Sequence, residues 1–393
     1  MEQESAMAVA TIRTCRKSFK YRIYPTKAQI KTLEKWLDLG RELYNSALEE
    51  RRESWKEKIS VNYKMQSEQL PELKKTRPEY KEVHSQVLQQ NLVRLDRAFK
   101  SFFKRVKNGE KPGYPRFKPT DRFNSLVYPQ APGFKLLSKK RLHLSGIGEV
   151  KIKLHRDVLG NPKTCSIKRT PSGHWYASFS CDQVPVEEWP EAYGEVGIDP
   201  GLESFATISD GKSETKIANP RWFRKSEKRL AEAQRELQIK KRGSKRRSKA
   251  RQRVASIHEK IANQRDDFQW KLARKIVESN RLIAIEDTDV KEMLETSPRG
   301  RNKSIQDAAW SRFKSILSCK ASNAGREFAL VPAPGTSSTC SRCGFYRKKE
   351  LSERTHRCGN CGLVLDRDVN AARNILKAGQ AFRGSTSREA AGL

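Results

Sequence analysis

Apolar and polar positions trade places through RKSFKYRIY, residues 16–24, up to Pro25, which predicts a strand buried on one face. Pro25-Thr26 then opens a helical period carried by Ile30, Leu33, Leu37, Leu43, Tyr44 and Leu48, and residues 30–107 read as helices. The last of these, QVLQQNLVRLDRAFKSFFKRVK at 86–107, puts Leu88, Leu92, Leu95, Phe99, Phe102 and Phe103 on its apolar face. Gly and Pro in NGEKPGYPRFKP, residues 108–119, end the pattern. From residue 123 to residue 185 the period becomes two. RLHL, GEVKIKLH, TCSIKRT and HWYASFSC read as short strands, the last two joined by a turn at Pro171-Ser172-Gly173. The two strand regions fit one β barrel interrupted by a helical insertion.

The acidic, proline-flanked VEEWPEA at 186–192 reads as a linker. Beyond it, GEVGIDPGLESFATIS (194–209) predicts two strands around a glycine turn. A long basic helical stretch over 222–279 reads as an antiparallel hairpin, its tip at KKRGSKRRSKARQR, 240–253. RLIAIED (281–287) is a short apolar strand ending in acids, and DAAWSRFKSILSCKASNAG (307–325) an amphipathic helix. The expected architecture is multidomain α+β. Its parts are an N-terminal barrel strand (1–29), a helical insertion (30–120), the rest of the barrel (121–190), an α/β domain in two parts (191–335 and 363–379) around a cysteine ribbon (336–362), and a disordered tail (380–393).

Charge sharpens this picture. The 393-residue chain carries 80 Lys+Arg against 46 Asp+Glu, a net charge of +34 spread along its length, which points to a nucleic-acid partner. No apolar run approaches the ~20 residues of a membrane span. The opening MEQESAMAVATIRTCRKSFK lacks the basic-then-apolar order of a signal peptide, so a cytoplasmic, nucleoid-associated protein is expected, with no membrane partner and no small-molecule substrate.

Of the eight cysteines, Cys15, Cys165, Cys181 and Cys319 are scattered and read as reduced, partly buried thiols. Cys340, Cys343, Cys358 and Cys361 form CSRC and CGNC with fourteen residues between the pairs, the spacing of a closed structural Zn²⁺ site. His356 lies near enough to compete as a ligand, but four thiolates leave it unnecessary. Three acids stand apart for their contexts. Asp199 follows the apolar EVGI, Glu286 ends LIAI, and Asp368 opens the helical VNAARNIL. Carboxylates at the ends of buried strands converge at one sheet edge, and such a cluster takes up Mg²⁺ ions able to hydrolyse a phosphodiester. Each acid alone reads as a turn or cap residue, and Asp366 competes with Asp368 for either role.

The motifs KSFKYRIYPTKAQ, RELYNSALEERR, GIDPGLESFATISDG, LIAIEDT, SSTCSRCG…RCGNCG and DRDVNAARNI, in this order, resemble the TnpB (OrfB) proteins of bacterial and archaeal insertion sequences. Those proteins are similar to type V CRISPR effectors. The resemblance implies a β-barrel wedge domain with a helical recognition insertion, followed by an RNase H-like (RuvC) α/β nuclease domain with an inserted zinc ribbon. It implies an RNA-guided DNA endonuclease, expected to act as a monomer with its RNA, whose partners are an element-derived guide RNA and target double-stranded DNA beside a short flanking motif. It makes Asp199, Glu286 and Asp368 the catalytic Mg²⁺ ligands, prefers Asp368 to Asp366 because the final acid precedes the xNAA element, and brings in Arg354 at the scissile phosphate.

A guide–target duplex is held through its backbone, so Lys240, Lys241, Arg242, Lys245, Arg246, Arg247, Lys249, Arg251 and Arg253 are candidate phosphate contacts. Ser85 and Gln89, one helical turn apart, are candidates for reading the flanking motif. Tyr21, Tyr24, Tyr44 and Phe99 are candidates for base stacking, with core packing the competing fate. A strand-transferring transposase with the same acids and a non-cleaving repressor of the same fold are the alternative functions.

Overall fold

The computed structural model describes residues 14–187, 189–350 and 353–390, with side chains described as far as residue 382. The chain divides after Val186 into two compact units. No described helix is long and apolar enough to cross a membrane.

The first unit opens with β1 (Thr14–Tyr24), followed by α1 (Lys27–Lys56), α2 (Tyr63–Glu68), α3 (Leu70–Thr76), a 3₁₀ turn (Pro78–Glu82) and α4 (Ser85–Lys107). Six strands follow: β2 (Ser125–Tyr128), β3 (Phe134–Ser138), β4 (Arg141–Leu144), β5 (Gly148–Lys153), β6 (Asn161–Arg169) and β7 (Trp175–Pro185). They form one antiparallel sheet in the order β2-β6-β7-β1-β5-β4-β3. The sheet is nearly closed, and the Tyr128 hydroxyl at the β2 edge donates to Ser145 O, just beyond β4, at 3.1 Å. The alternation of β1 has a direct outcome: Phe19, Tyr21 and Ile23 are buried while Lys20 and Tyr24 are exposed.

Pro25-Thr26 starts α1 through a capping box. Thr26 Oγ1 accepts from Gln29 N at 3.3 Å, and Gln29 Oε1 accepts from Thr26 N at 3.0 Å, a device that contributes about 0.5–2 kcal/mol. Leu33, Trp36, Tyr44 and Leu48 of α1 and Leu88, Leu92 and Leu95 of α4 share a single core with Phe179, Ile152 and Ile167 of the sheet.

The second unit contains β8 (Gly194–Pro200), β9 (Ser204–Ser209), β10 (Glu214–Ala218), α5 (Trp222–Gln238), α6 (Lys245–Ser279), β11 (Asn280–Asp287), α7 (Val290–Thr296), α8 (Arg299–Ala308) and α9 (Trp310–Asn323). It ends with β12 (Glu327–Pro332), the small strands β13 (Thr355–Arg357) and β14 (Val364–Asp366), and α10 (Arg367–Ala390). Its five-stranded sheet runs β10-β9-β8-β11-β12. β9 is antiparallel to its neighbours β8 and β10, and β11 lies parallel to both β8 and β12.

The apolar run LIAI is continuous because β11 is covered on both faces. Ile283 and Ile285 pack with Leu272 and Ile276 of α6 and Phe313 and Ile316 of α9, while Ala284 packs with Ile375 of α10. α5 and α6 form the hairpin through Leu230, Ala233, Ile257 and Ile261.

One expectation fails here. The segment from residue 380, expected to be disordered, continues α10 to Ala390, and residues 391–393 lie outside the described residues. AFRGSTSREAA lacks proline and has good helix formers at both ends, so it extends a helix already nucleated.

Candidate active site and zinc centre

The site is built on a saddle of small residues. Gly197 of β8 and Ala284 of β11 are register partners, and α10 beds directly against them. A β-carbon at Gly197 would stand 2.0 Å from Ala372 O, so only glycine admits the helix. Side chains alternate along a strand, so Asp199 and Glu286, each two residues further on, share the α10 face at neighbouring strand ends. Asp368 lies one helical turn before Ala372. The three carboxylates line one cavity of about 450 Å³, together with Thr336, Arg301, Arg354 and Arg367.

Burial first, then the charges of Glu286 and Asp368, push the Asp199 carboxyl well above its ordinary value. Burial and then Asp366 push Asp368 upward. Glu286 is raised by burial and eased back by two hydroxyls: Thr288 donates to Oε1 and Thr336 to Oε2, each at 3.0 Å. Acids that cluster and resist ionisation suit a cation, and hard carboxylate oxygens suit Mg²⁺.

Asp366 has a different environment. Its Oδ1 caps α10, accepting from Asp368 N at 3.0 Å and Val369 N at 3.2 Å, and its Oδ2 meets Lys216 Nζ at 2.6 Å. Burial would raise it, but the Lys216 hydrogen bond and the backbone donors hold it below the usual value.

Among the described residues the tight metal-ligand cluster is Cys340, Cys343, Cys358 and Cys361, whose sulfurs all lie within 4.8 Å of one another. Cys340 and Cys361 Sγ are 3.7 Å apart, and Cys343 and Cys358 Sγ 3.5 Å. Tetrahedral Zn²⁺ with bonds of about 2.3 Å sets its sulfurs about 3.8 Å apart, so the residues fit the metal. The two knuckles repeat one backbone pattern. Cys340 N donates to Phe345 O and Cys358 N to Leu363 O, both at 2.9 Å, with Gly344 and Gly362 at φ 78° and 70° making the returns. His356 is buried beside them, its Nδ1 bonded to Lys349 Nζ, and is outside the cluster.

The ribbon is tied to the acids by two asparagines that sequence reasoning passed over. Asn374 Nδ2 donates to Thr336 O at 2.8 Å and to Thr339 O at 2.7 Å. Asn370 donates to Thr339 O at 2.8 Å and accepts from Ser341 N at 2.9 Å. Thr336 in turn holds Glu286. The β13–β14 hairpin ends with Arg367 N donating to Arg354 O at 2.8 Å, which brings both arginines to the cavity. Arg301 and Arg367 were also passed over; Arg367, inside DRD next to the acid, carried a usable signal, and Arg301 carried none.

The basic residues at the hairpin tip have mixed fates. Arg247 Nη1 closes the turn on Leu237 O and Lys240 O, and Arg253 pairs with Glu236 at 2.7 Å. Lys240 is half-buried, whereas Lys241, Arg242, Lys245, Arg246, Lys249 and Arg251 are exposed. In the first unit Gln89 is half-buried, and Ser85 accepts from Lys74 at 2.7 Å. Tyr21, Tyr44 and Phe99 are core residues, and Tyr24 is exposed. Cys165 and Cys181 are buried, Cys15 is partly so, and Cys319 is exposed rather than buried because it lies on the outer face of α9.

A "Putative RNA-guided DNA endonuclease" of Streptomyces pristinaespiralis is 37% identical over 373 residues, covering 93% of this chain and 90% of that one. A "Putative RNA-guided DNA endonuclease InsQ" of Escherichia coli (strain K12) is 31% identical over 383 residues, covering 93% and 92%. The chain belongs to the TnpB (OrfB) family. Three family models match parts of this TnpB chain: "Probable transposase" at 178–297, "Cas12f1-like, TNB domain" at 310–375 and "Helix-turn-helix domain" at 15–60. The last covers all but the first residue of β1 and the whole of the single helix α1. The TnpB fold also matches the protein in a cryo-EM structure of a Cas12f1-sgRNA-target DNA complex, with a TM-score of 0.55 and 15% identity over 92% of this chain and 98% of that one.

Proposed function

We infer that this chain is an RNA-guided DNA endonuclease that cleaves by metal-dependent phosphodiester hydrolysis at a single RuvC-like site. The observation that carries the reading is the convergence of Asp199, Glu286 and Asp368, from two neighbouring strands and a distant helix, on one cavity edged by arginines. A sheet of three antiparallel strands continued by two parallel ones, with acids at the ends of the adjacent strands β8 and β11, is consistent with an RNase H-like core. Asp199, Glu286 and Asp368 would hold Mg²⁺, and the cysteine ribbon Zn²⁺. Bound divalent metal supplies an activated water and stabilises the leaving oxygen.

The chain's own residues do the positioning. Thr288 and Thr336 fix both oxygens of Glu286, which keeps its carboxylate oriented toward the cavity. Arg354 and Arg367 offset the charge of the acids, and with Arg301 they give a phosphodiester donors at the cavity wall. The net charge of +34 suits a guide RNA and target DNA held through their backbones, with the flanking motif read as duplex.

Purification with bound RNA, sequencing of that RNA and incubation with matching DNA and Mg²⁺ tests the reading. Guided cutting is expected, and Asp199→Ala should abolish it while RNA and DNA binding persist. Retained cutting in that variant would sink the site assignment. The matched description "Probable transposase" motivates strand transfer as the second reading. It uses the same acids with a DNA 3′-hydroxyl as attacker, and joined rather than hydrolysed products would identify it.

A further inference from the structure

A second cavity, of about 660 Å³, adjoins the carboxylates; it shares Leu202, Glu203, Arg301 and Arg354 with the first and adds Arg221 and Arg224. Its acids are already engaged. Asp307 is buried, accepts from Phe223 N at 3.0 Å and Arg224 N at 3.4 Å, and faces Arg265 at 3.4 Å. Glu203 faces Arg354 at 3.5 Å. Arg224 is committed to Glu227 at 3.2 Å and Gly300 O at 2.6 Å. Arg221 and Arg301 keep their guanidinium groups without a side-chain partner among the described residues.

Arg221 is also held in the left-handed region, at φ 52° and ψ 48°. That conformation is strained for a non-glycine residue, yet the position carries an arginine rather than a glycine. Asn219 secures it, accepting from Arg221 N at 3.2 Å and donating to Leu202 O at 2.9 Å. The result is a surplus of planar cationic donors continuous with a site suited to cations bridging a phosphodiester. A ligand that fits both cavities must repeat its anionic groups, as a nucleic-acid strand does.

We propose that this cavity seats a backbone phosphate of the bound DNA strand adjacent to the one being cut, with Arg221 and Arg301 as its donors. The nature of the strand rests on the nuclease reading, but the test does not require cleavage. Arg221→Gly and Arg301→Ala are made in full-length Asp199→Ala protein and titrated with a fluorescein-labelled single-stranded DNA oligonucleotide at several salt concentrations. Glycine fits the left-handed backbone, so Arg221→Gly keeps or raises the melting temperature while removing the guanidinium.

Each variant is expected to lose about tenfold in affinity. The slope of log K against log salt should flatten by about 0.7 per lost contact. Arg301→Lys should restore most of the slope. Unchanged affinity and slope in folded Arg221→Gly and Arg301→Ala would overturn the assignment, even if the wild type cuts guided DNA. Weakened binding in both variants, beside a wild type that cuts no guided target, would support this subsite and overturn the nuclease reading instead.

Discussion

Replacing Gly197 by alanine tests whether the saddle under α10 sets the active-site geometry. The added β-carbon would lie 2.0 Å from Ala372 O and 2.5 Å from Leu376 N, whereas ordinary contact begins at 3.4 Å, so α10 must withdraw by 3.4 − 2.0 = 1.4 Å or β8 must bend. Both clashing atoms belong to helix backbone, so no side-chain rotation relieves them. Overpacking of this kind costs about 1–3 kcal/mol. At about 2–4 °C per kcal/mol, the melting temperature should fall by about 2–12 °C.

The larger effect should be on rate. Asp368 rides on the displaced helix while Asp199 stays on the strand, and a shift of about 1 Å in a reacting constellation costs on the order of 100-fold. Single-turnover cleavage of guided DNA, beside thermal melts by circular dichroism, measures both. Gly300→Ala is the control, since a β-carbon there meets nothing within 4 Å. A Gly197→Ala protein that melts and cuts like wild type would refute the reasoning.

Three further outcomes are expected. Asp199→Asn should raise the melting temperature of Mg²⁺-free protein at neutral pH, because it removes a charge whose ionisation is opposed by burial, Glu286 and Asp368. A raised carboxyl pKa means that the folded state binds more protons than the unfolded one, so the wild type loses stability as pH rises from about 3.9 through the folded pKa. The advantage of Asn should therefore shrink as pH falls, and melts across pH with no such convergence would contradict it. Cys358→Ser should lose zinc, measured by elemental analysis, and activity together, and an active protein without zinc would break the link between ribbon and acids. Thr336→Val should weaken Mg²⁺ affinity about 10–100-fold in a metal titration of cleavage while leaving zinc content unchanged; an unaltered titration would remove Thr336 from the support of Glu286.

The sequence was most legible where periodicity was clean or ligands were close together. Phe19, Tyr21 and Ile23 announce β1 by alternation, and LIAI announces a strand covered on both faces. The four cysteines declare their spacing openly. The saddle was hidden because Gly197 and Ala284 lie 87 residues apart, and only strand register makes them neighbours. Asn370 and Asn374 read as ordinary helix residues, since their task depends on a loop contributed by another segment. β10 and β12, with sequences ETKIA and EFALVP, are edge strands in which apolar and polar residues do not alternate cleanly. Tyr21 shows the opposite limit: a ring in a basic stretch suggested stacking, but its place in the alternation put it inside.

The position of α10 also orders events in time. Asp199 and Asp368 are 169 residues apart, and the helix that carries Asp368 leaves the ribosome after the ribbon and all five strands of the sheet. A nascent chain can build the sheet and hold two acids, but it has no complete constellation until the ribbon closes and α10 docks. On the proposed nuclease reading, hydrolytic competence is therefore acquired only once α10 has emerged, and chains broken off before that helix are expected to be inert.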